Sequence, residues 1–94
     1  MTVSRSGRVR ATGGTLFREL QGEAVLLNLG SESYYGLDEV GTRMWAVLTA
    51  ADSIQAAYES LLDQYDVEPE KLREDLDGLI GKLVEHGLVE IGDG

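Results

Sequence analysis

The sequence contains no cysteine, one histidine and one proline, and it has no long apolar run. Without thiols the chain can form neither a disulfide nor a thiolate metal site, and it has no cysteine nucleophile. One histidine without cysteine partners also falls short of a zinc site, so we expect no metal ion and no cofactor. No apolar run approaches the roughly 20 residues that cross a bilayer, and the N-terminal residues do not resemble a signal peptide. We therefore expect a cytoplasmic protein with no membrane partner.

Basic residues are also scarce: eight Lys and Arg stand against 17 Asp and Glu, which gives a net charge of −9. Four arginines and no acid fall in residues 1–18, so the remaining residues carry −13. Nonspecific affinity for nucleic acid depends on Lys and Arg that displace counterions from phosphates, so a body of this charge predicts no nucleic-acid partner. Residues 1–13, with three arginines among Gly and Ser, are predicted to be a flexible basic arm, and residues 14–94 a single domain.

No motif for catalysis stands out. His86, the single histidine, falls at the predicted end of a helix, where a cationic side chain complements the helix dipole. Residues 11–14 (ATGG) lack the phosphate-loop pattern, and the serines and threonines have no base in view. We therefore expect that the protein is not an enzyme.

Three short apolar segments, at residues 14–20, 23–29 and 33–37, have the composition of β-strands. Turn-forming residues separate them, and the connections are tight, so the sequence predicts an antiparallel meander. The third segment contains Tyr34 and Tyr35, and successive side chains of a strand point to opposite faces. A one-residue change of register exchanges those faces, so either tyrosine is compatible with a position against the helices.

A first helix is predicted over residues 39–49, directly after the third strand. Asp38 is its predicted N-cap, because its carboxylate can accept hydrogen bonds from the first turn. The residues at helical spacing that form its predicted buried stripe are Val40, Met44 and Leu48, with Trp45 beside them.

Two further helices follow. The second opens at Asp52 or Ser53 and has a firm pattern of half-buried apolar residues. The third begins at Pro69, which suits a first helical turn, and ends near His86. Gly87 then suits the left-handed position after the last turn, and a short final strand follows over residues 88–91.

One flank of the third helix carries apolar residues beside its leucine face. At about 100° per residue, Arg73, Asp77, Ile80 and Val84 lie together there. They either widen the contact with the core, or Ile80 and Val84 wall a groove with Arg73 and Asp77 at its rim. A strand edge beside a helix flank is the geometry that accepts an extended peptide.

The order of these elements resembles the PqqD-like family, the recognition elements for precursors of ribosomally synthesised and post-translationally modified peptides (RiPPs). The resemblance extends over residues 14–91 and depends on the joint order and spacing of several short motifs. These motifs are the apolar strand Val25 to Leu29, the pair Tyr34-Tyr35, the helix start at Leu37, Asp38, Gly41, Met44 and Trp45, and the closing run Leu83 to Val89.

The resemblance implies an α+β, winged-helix-like fold, with an N-terminal three-stranded antiparallel sheet packed on a three-helix bundle. It also implies a non-catalytic protein that binds the leader region of a precursor peptide as an added strand. The leader would then reach a maturation enzyme, such as a radical enzyme or a leader protease with a cyclase. The peptide-binding residues that it implies are Ser33, Tyr34, Tyr35, Gly36 and Leu37 of the third strand, and Arg73, Asp77, Ile80 and Val84 of the third helix.

Two other functions are compatible with the same fold. A winged-helix DNA-binding regulator would use the third helix, but this helix is among the most acidic parts of the chain, and phosphates would repel it. An assembly module would instead bind the maturation enzyme alone. An exposed edge strand also allows two copies to pair, so a homodimer that competes with the leader is a further alternative.

Overall fold

The computed structural model describes residues 7–93. It has two antiparallel sheets and three helices, which confirms the predicted α+β fold with a three-stranded sheet. No helix within this range is long and apolar enough to cross a membrane. The elements in chain order are β1 (Gly7–Ala11), β2 (Thr15–Leu20), β3 (Glu23–Asn28), β4 (Ser33–Leu37), α1 (Glu39–Ala50), α2 (Ile54–Gln64), α3 (Pro69–Glu85) and β5 (Val89–Asp93).

Strand β1 corrects the prediction of a flexible arm for the part of it that the structure describes. Gly7–Ala11 pairs antiparallel with β5, and Val9 lies opposite Ile91. Val9 is only 1% exposed, while its neighbours Arg8 and Arg10 point to solvent. The arginines dominate the local composition, and the pairing strand lies at the other end of the sequence, so no local pattern indicates this strand. Residues 1–6 of the predicted arm lie outside the described residues.

The second sheet has the order β2-β3-β4, as the predicted meander requires. Gln21 and Gly22 connect β2 to β3 with φ values of 57° and 85°. Two positive φ angles are typical of the type I′ turn, whose twist matches that of a hairpin. Within residues 7–93, strand β4 pairs in this sheet only with β3 and is therefore one of its two edges.

Helix α1 begins as predicted, but its buried face is rotated. The Asp38 carboxylate accepts a hydrogen bond from the Gly41 N–H at 2.7 Å, which confirms the N-cap. Met44, Trp45 and Leu48 are buried, whereas Val40 is 46% exposed, so its predicted place in the stripe is wrong. Gly41 takes the contact with the sheet instead: a Cβ there would lie 3.2 Å from Leu37 Cδ2. The buried residues of α1 are Thr42, Met44, Trp45 and Leu48.

The caps of the other two helices fix the C-terminal half of the fold. Ser53, and not Asp52, is the N-cap of α2, because its hydroxyl accepts from the Ala56 N–H at 3.0 Å. Helix α3 ends in a hydrogen-bonded glycine cap, with Gly87 at φ 69° and the Leu88 N–H donating to the Leu83 carbonyl at 2.9 Å. Leu88 is fully buried behind this cap.

Candidate functional site

Strand β4 presents an edge that nothing within the strand protects. Its sequence, SYYGL, contains no charge and no proline, which are the usual devices that block pairing with another chain. The opposite edge, β2, carries Arg18 and Glu19. Five residues of strand span about 16 Å, which is enough to pair with a short extended peptide.

The structure decides which tyrosine of β4 faces the helices. The Tyr35 ring lies 5.3 Å from the His86 imidazole, centroid to centroid, at the end of α3. Tyr35 is half-buried and packs against the core, whereas Tyr34 is 73% exposed on the outer face of the sheet. Tyr35 therefore belongs to the cleft between β4 and α3, and Tyr34 does not.

The predicted flank of α3 faces away from β4. The Arg73 guanidinium lies 4.8 Å above the ring of Tyr58 in α2. Arg73, Tyr58 and Asp77 all line a small cavity between α2 and α3. From the helical repeat, Arg73 and Asp77 lie about 140° and 180° around α3 from His86. The sequence thus groups these residues correctly, but periodicity does not reveal which side of a helix meets the sheet.

Ile80 and Val84 differ in which of the two alternatives for this flank they follow. Ile80 is fully buried in the core, so it does not wall an open groove. Val84 is half-buried and borders, with Asp77, a shallow depression whose lining residues all belong to α3. Of the predicted peptide-binding set, the structure therefore brings Ser33–Leu37 to the edge beside α3, whereas the four helix residues lie at least about 120° around α3 from His86.

The flank that does approach β4 contains residues that the sequence did not single out for binding. His86 marks this side of α3 through its contact with Tyr35. Lys82 and Leu79 precede His86 by four and seven residues, so they share its flank. Leu79 is half-buried against the core, and Lys82 is exposed. In the sequence, Leu79 has the spacing of a core leucine and His86 the position of a helix cap. Neither pattern shows that the two residues face β4, because that depends on which side of α3 meets the sheet.

A hydrogen bond to the end of α3 orients the imidazole of His86. Its Nδ1 lies 2.8 Å from the Lys82 carbonyl oxygen, which can only accept, so Nδ1 carries the hydrogen. In the neutral ring this leaves Nε2 as an acceptor that the helix end does not use.

An open cleft of about 350 Å³ lies where β4 begins, between the β3–β4 turn and the end of α3. Asn28 ties the two walls together, because its Nδ2 donates to the Gly87 carbonyl at 2.8 Å and its Oδ1 accepts from the Gly30 N–H at 2.9 Å. The residues that line the cleft are Asn28, Ser31, Ser33, Glu85, His86 and Gly87.

The outer face of the sheet exposes a row of apolar side chains. Leu16, Leu27 and Tyr34 lie side by side across the three strands. Leu16 is 42% exposed, and Val25 in the next row is 46% exposed. Gly36 lies opposite Val25, and no atom lies within 4 Å of the position that a Cβ would take there.

These features together define a class of protein: a small winged-helix-like domain with an unprotected edge strand beside a helix, as in RiPP precursor recognition elements. The profile of the family described as coenzyme PQQ synthesis protein D (PqqD) matches residues 23–89. The chain belongs to the PqqD family.

A solved structure supports the same conclusion. TbiB1 in complex with the TbiA(beta) leader peptide matches this chain with a TM-score of 0.79 and 26% sequence identity, covering 86% of this chain and 94% of that one. No curated protein matches the chain significantly.

Proposed function

We propose that this protein is a non-catalytic recognition protein that binds the leader region of a ribosomally synthesised precursor peptide and delivers it to a modifying enzyme. The observation that carries the proposal is the unprotected edge of β4 beside α3, where Tyr35 and His86 are in contact. The similarity to TbiB1, whose structure contains a leader peptide, supports the same role.

In this proposal the leader adds as a fourth strand to the β2-β3-β4 sheet. Backbone hydrogen bonds along β4 supply affinity that does not depend on the leader's side chains. Alternate leader side chains point toward α3, where they meet Tyr35, the half-buried Leu79 and the aliphatic stem of Lys82. The others point to the outer face beside Tyr34. Specificity would therefore come from every second residue of the leader.

The charges of α3 disfavour binding to DNA. Glu70, Glu74 and Asp75 are exposed along it. Its two lysines have acidic neighbours: the Lys71 ammonium donates to the Asp75 carboxylate at 3.0 Å, which raises the pKa of Lys71, and Lys82 lies 4.0 Å from Glu85. A helix with these exposed acids would meet repulsion from phosphates instead of displacing their counterions.

The assembly function has one observation in its favour, the exposed apolar row on the outer face of the sheet. Apolar patches of this kind are common at protein–protein contacts. An enzyme that docks on Leu16, Val25 and Tyr34 would leave the β4 edge open. This contact is compatible with leader binding, so the two functions differ only in whether the leader itself is bound.

A titration with two matched tyrosine variants separates these functions. The labelled leader of the small precursor encoded beside this gene is titrated by fluorescence anisotropy, with labelled duplex DNA as a control. We expect saturable binding of the leader and none of DNA. Removing an aromatic side chain that contacts a ligand costs about 1–3 kcal/mol, so Tyr35→Ala should weaken binding roughly 5- to 150-fold.

Tyr34→Ala is the control, because it removes the same side chain from the opposite face of the same strand. We expect a much smaller loss of leader affinity from it. Circular dichroism confirms that both variants are folded. Enzyme binding without leader binding, lost in Tyr34→Ala, would favour the assembly module, and tight binding of DNA would contradict the proposal.

A further inference from the structure

The cleft at the start of β4 has a distinct chemical character. Among residues 7–93, the ionisable residues that line it are Glu85 and His86, and none of the lining residues in this range is Lys or Arg. The Glu85 side chain is 68% exposed, and its carboxylate lies 4.0 Å from the Lys82 ammonium, so this ion pair is loose. A largely unpaired carboxylate thus stands at the mouth of the cleft.

The remaining polar groups of the cleft are mostly acceptors. The amide of Asn28 is engaged within the protein, and the Gly87 carbonyl already accepts from Asn28 and Thr12 at 2.8 Å each. Ser31 Oγ donates to Ser33 Oγ at 3.1 Å, so Ser31 Oγ keeps both lone pairs and Ser33 Oγ keeps one. The C-terminus of α3, where His86 lies, adds its partial negative charge.

We infer that this cleft is a subsite for one basic side chain, Lys or Arg, of the leader peptide. The inference rests on the proposed function. A leader strand that pairs with β4 must pass the cleft at Ser33, because the cleft lies where the strand begins. The leader position that enters it lies at or just beyond the residue opposite Ser33.

A basic side chain satisfies this cleft better than the alternatives. An ammonium or guanidinium has only donors, and the cleft offers a carboxylate and two hydroxyls as acceptors beside the negative end of α3. An acidic leader residue would meet Glu85 and the negative end of α3. An apolar residue would gain no hydrogen bond from these acceptors, which water would continue to solvate.

The test is a double-mutant cycle with the leader encoded beside this gene. Each Lys and Arg of the leader is replaced by Gln in turn, and each peptide is titrated against the wild-type protein and against Glu85→Gln. Because Glu85 is exposed and solvent screens it, we expect Glu85→Gln to weaken wild-type leader binding about two- to fivefold at low salt. One leader substitution should have the same effect, and its effect should disappear in Glu85→Gln.

Glu74→Gln is the matched control, because it neutralises an exposed acid of the same helix 11 residues away from Glu85. It should leave leader affinity unchanged. Glu85→Lys combined with Glu at the identified leader position should recover part of the lost binding.

Three results would overturn the subsite: a leader without a basic residue near the paired segment, equal losses in Glu85→Gln and Glu74→Gln, or additive effects throughout the cycle. Failure of the subsite is distinct from failure of the proposed function. If the wild-type leader does not bind at all, both fall. If it binds saturably and the cycle shows no coupling, only the subsite falls.

Discussion

The position of Ile80 leads to a prediction with a clear magnitude. The side chain is fully buried in the core on α3, so Ile80→Ala should remove packing instead of a peptide contact. Truncating a buried isoleucine to alanine costs about 2–5 kcal/mol. A chain of 94 residues is stable by roughly 5–14 kcal/mol at typical values per residue, so a loss of about 3 kcal/mol is a large share.

Urea denaturation followed by circular dichroism measures this loss. The midpoint should fall while the m-value stays unchanged, and about 3 kcal/mol should lower the melting temperature by roughly 12–24 °C. Val84→Ala is the control on the same flank: its side chain is half-buried, so it should cost only about 1 kcal/mol. The conservative Ile80→Val variant should bind the leader within twofold of wild type.

A core position for Ile80 is refuted if Ile80→Ala lowers the free energy of unfolding by less than about 1 kcal/mol, well below the range for buried truncations, and Ile80→Val still weakens leader binding tenfold. That pair of results would mean that the side chain faces the peptide, and that the flank predicted from the helical repeat is the binding flank after all. Loss of stability with intact binding would fix Ile80 in the core.

Two further predictions test other parts of the site. Arg73→Ala removes the cation–π contact with Tyr58, so we expect the free energy of unfolding in urea to fall by about 0.5–1 kcal/mol. Leader affinity, measured by anisotropy, should stay unchanged. A tenfold loss of affinity in the folded variant would place Arg73 in the binding site. Gly87→Ala forces alanine into a left-handed conformation at φ 69° and brings its Cβ to 3.0 Å from Asn28 Nδ2. It should lower the thermal midpoint measurably, by a free energy of about 1–3 kcal/mol, and an unchanged midpoint would show that the helix end rearranges without cost.

Much of the fold is predictable because its signals are local. The turn at Gln21 and Gly22, the cap at Asp38 and the glycine after α3 each depend on a few neighbouring residues, and the structure confirms each of them. The bounds of β4 are also those that the sequence predicts. Local sequence signals thus locate the strands of the main sheet and the three helices.

The wrong predictions concern two kinds of feature. One is a strand whose pairing partner is distant in the sequence, and the other is the side of a helix that meets the sheet. Strand β1 depends on β5, about 80 residues further along the chain, so the residues around Val9 give no sign of pairing. The four residues predicted on α3 do share a flank, but a helix can present either flank to a neighbouring sheet. The direction in which this flank faces depends on which side of α3 packs on α2, and the contact of Arg73 with Tyr58 shows that it is this flank.

The pairing of β1 with β5 has a consequence for how the domain can be joined to other proteins. Gly7 lies directly opposite Asp93. The Cα atoms of such antiparallel partners are about 5 Å apart, so the chain enters and leaves the domain at nearly the same point. A domain of this design can be inserted into a surface loop of a larger enzyme without forcing the ends of that loop apart. Two short linkers, instead of one long linker, would then connect the enzyme to the inserted domain.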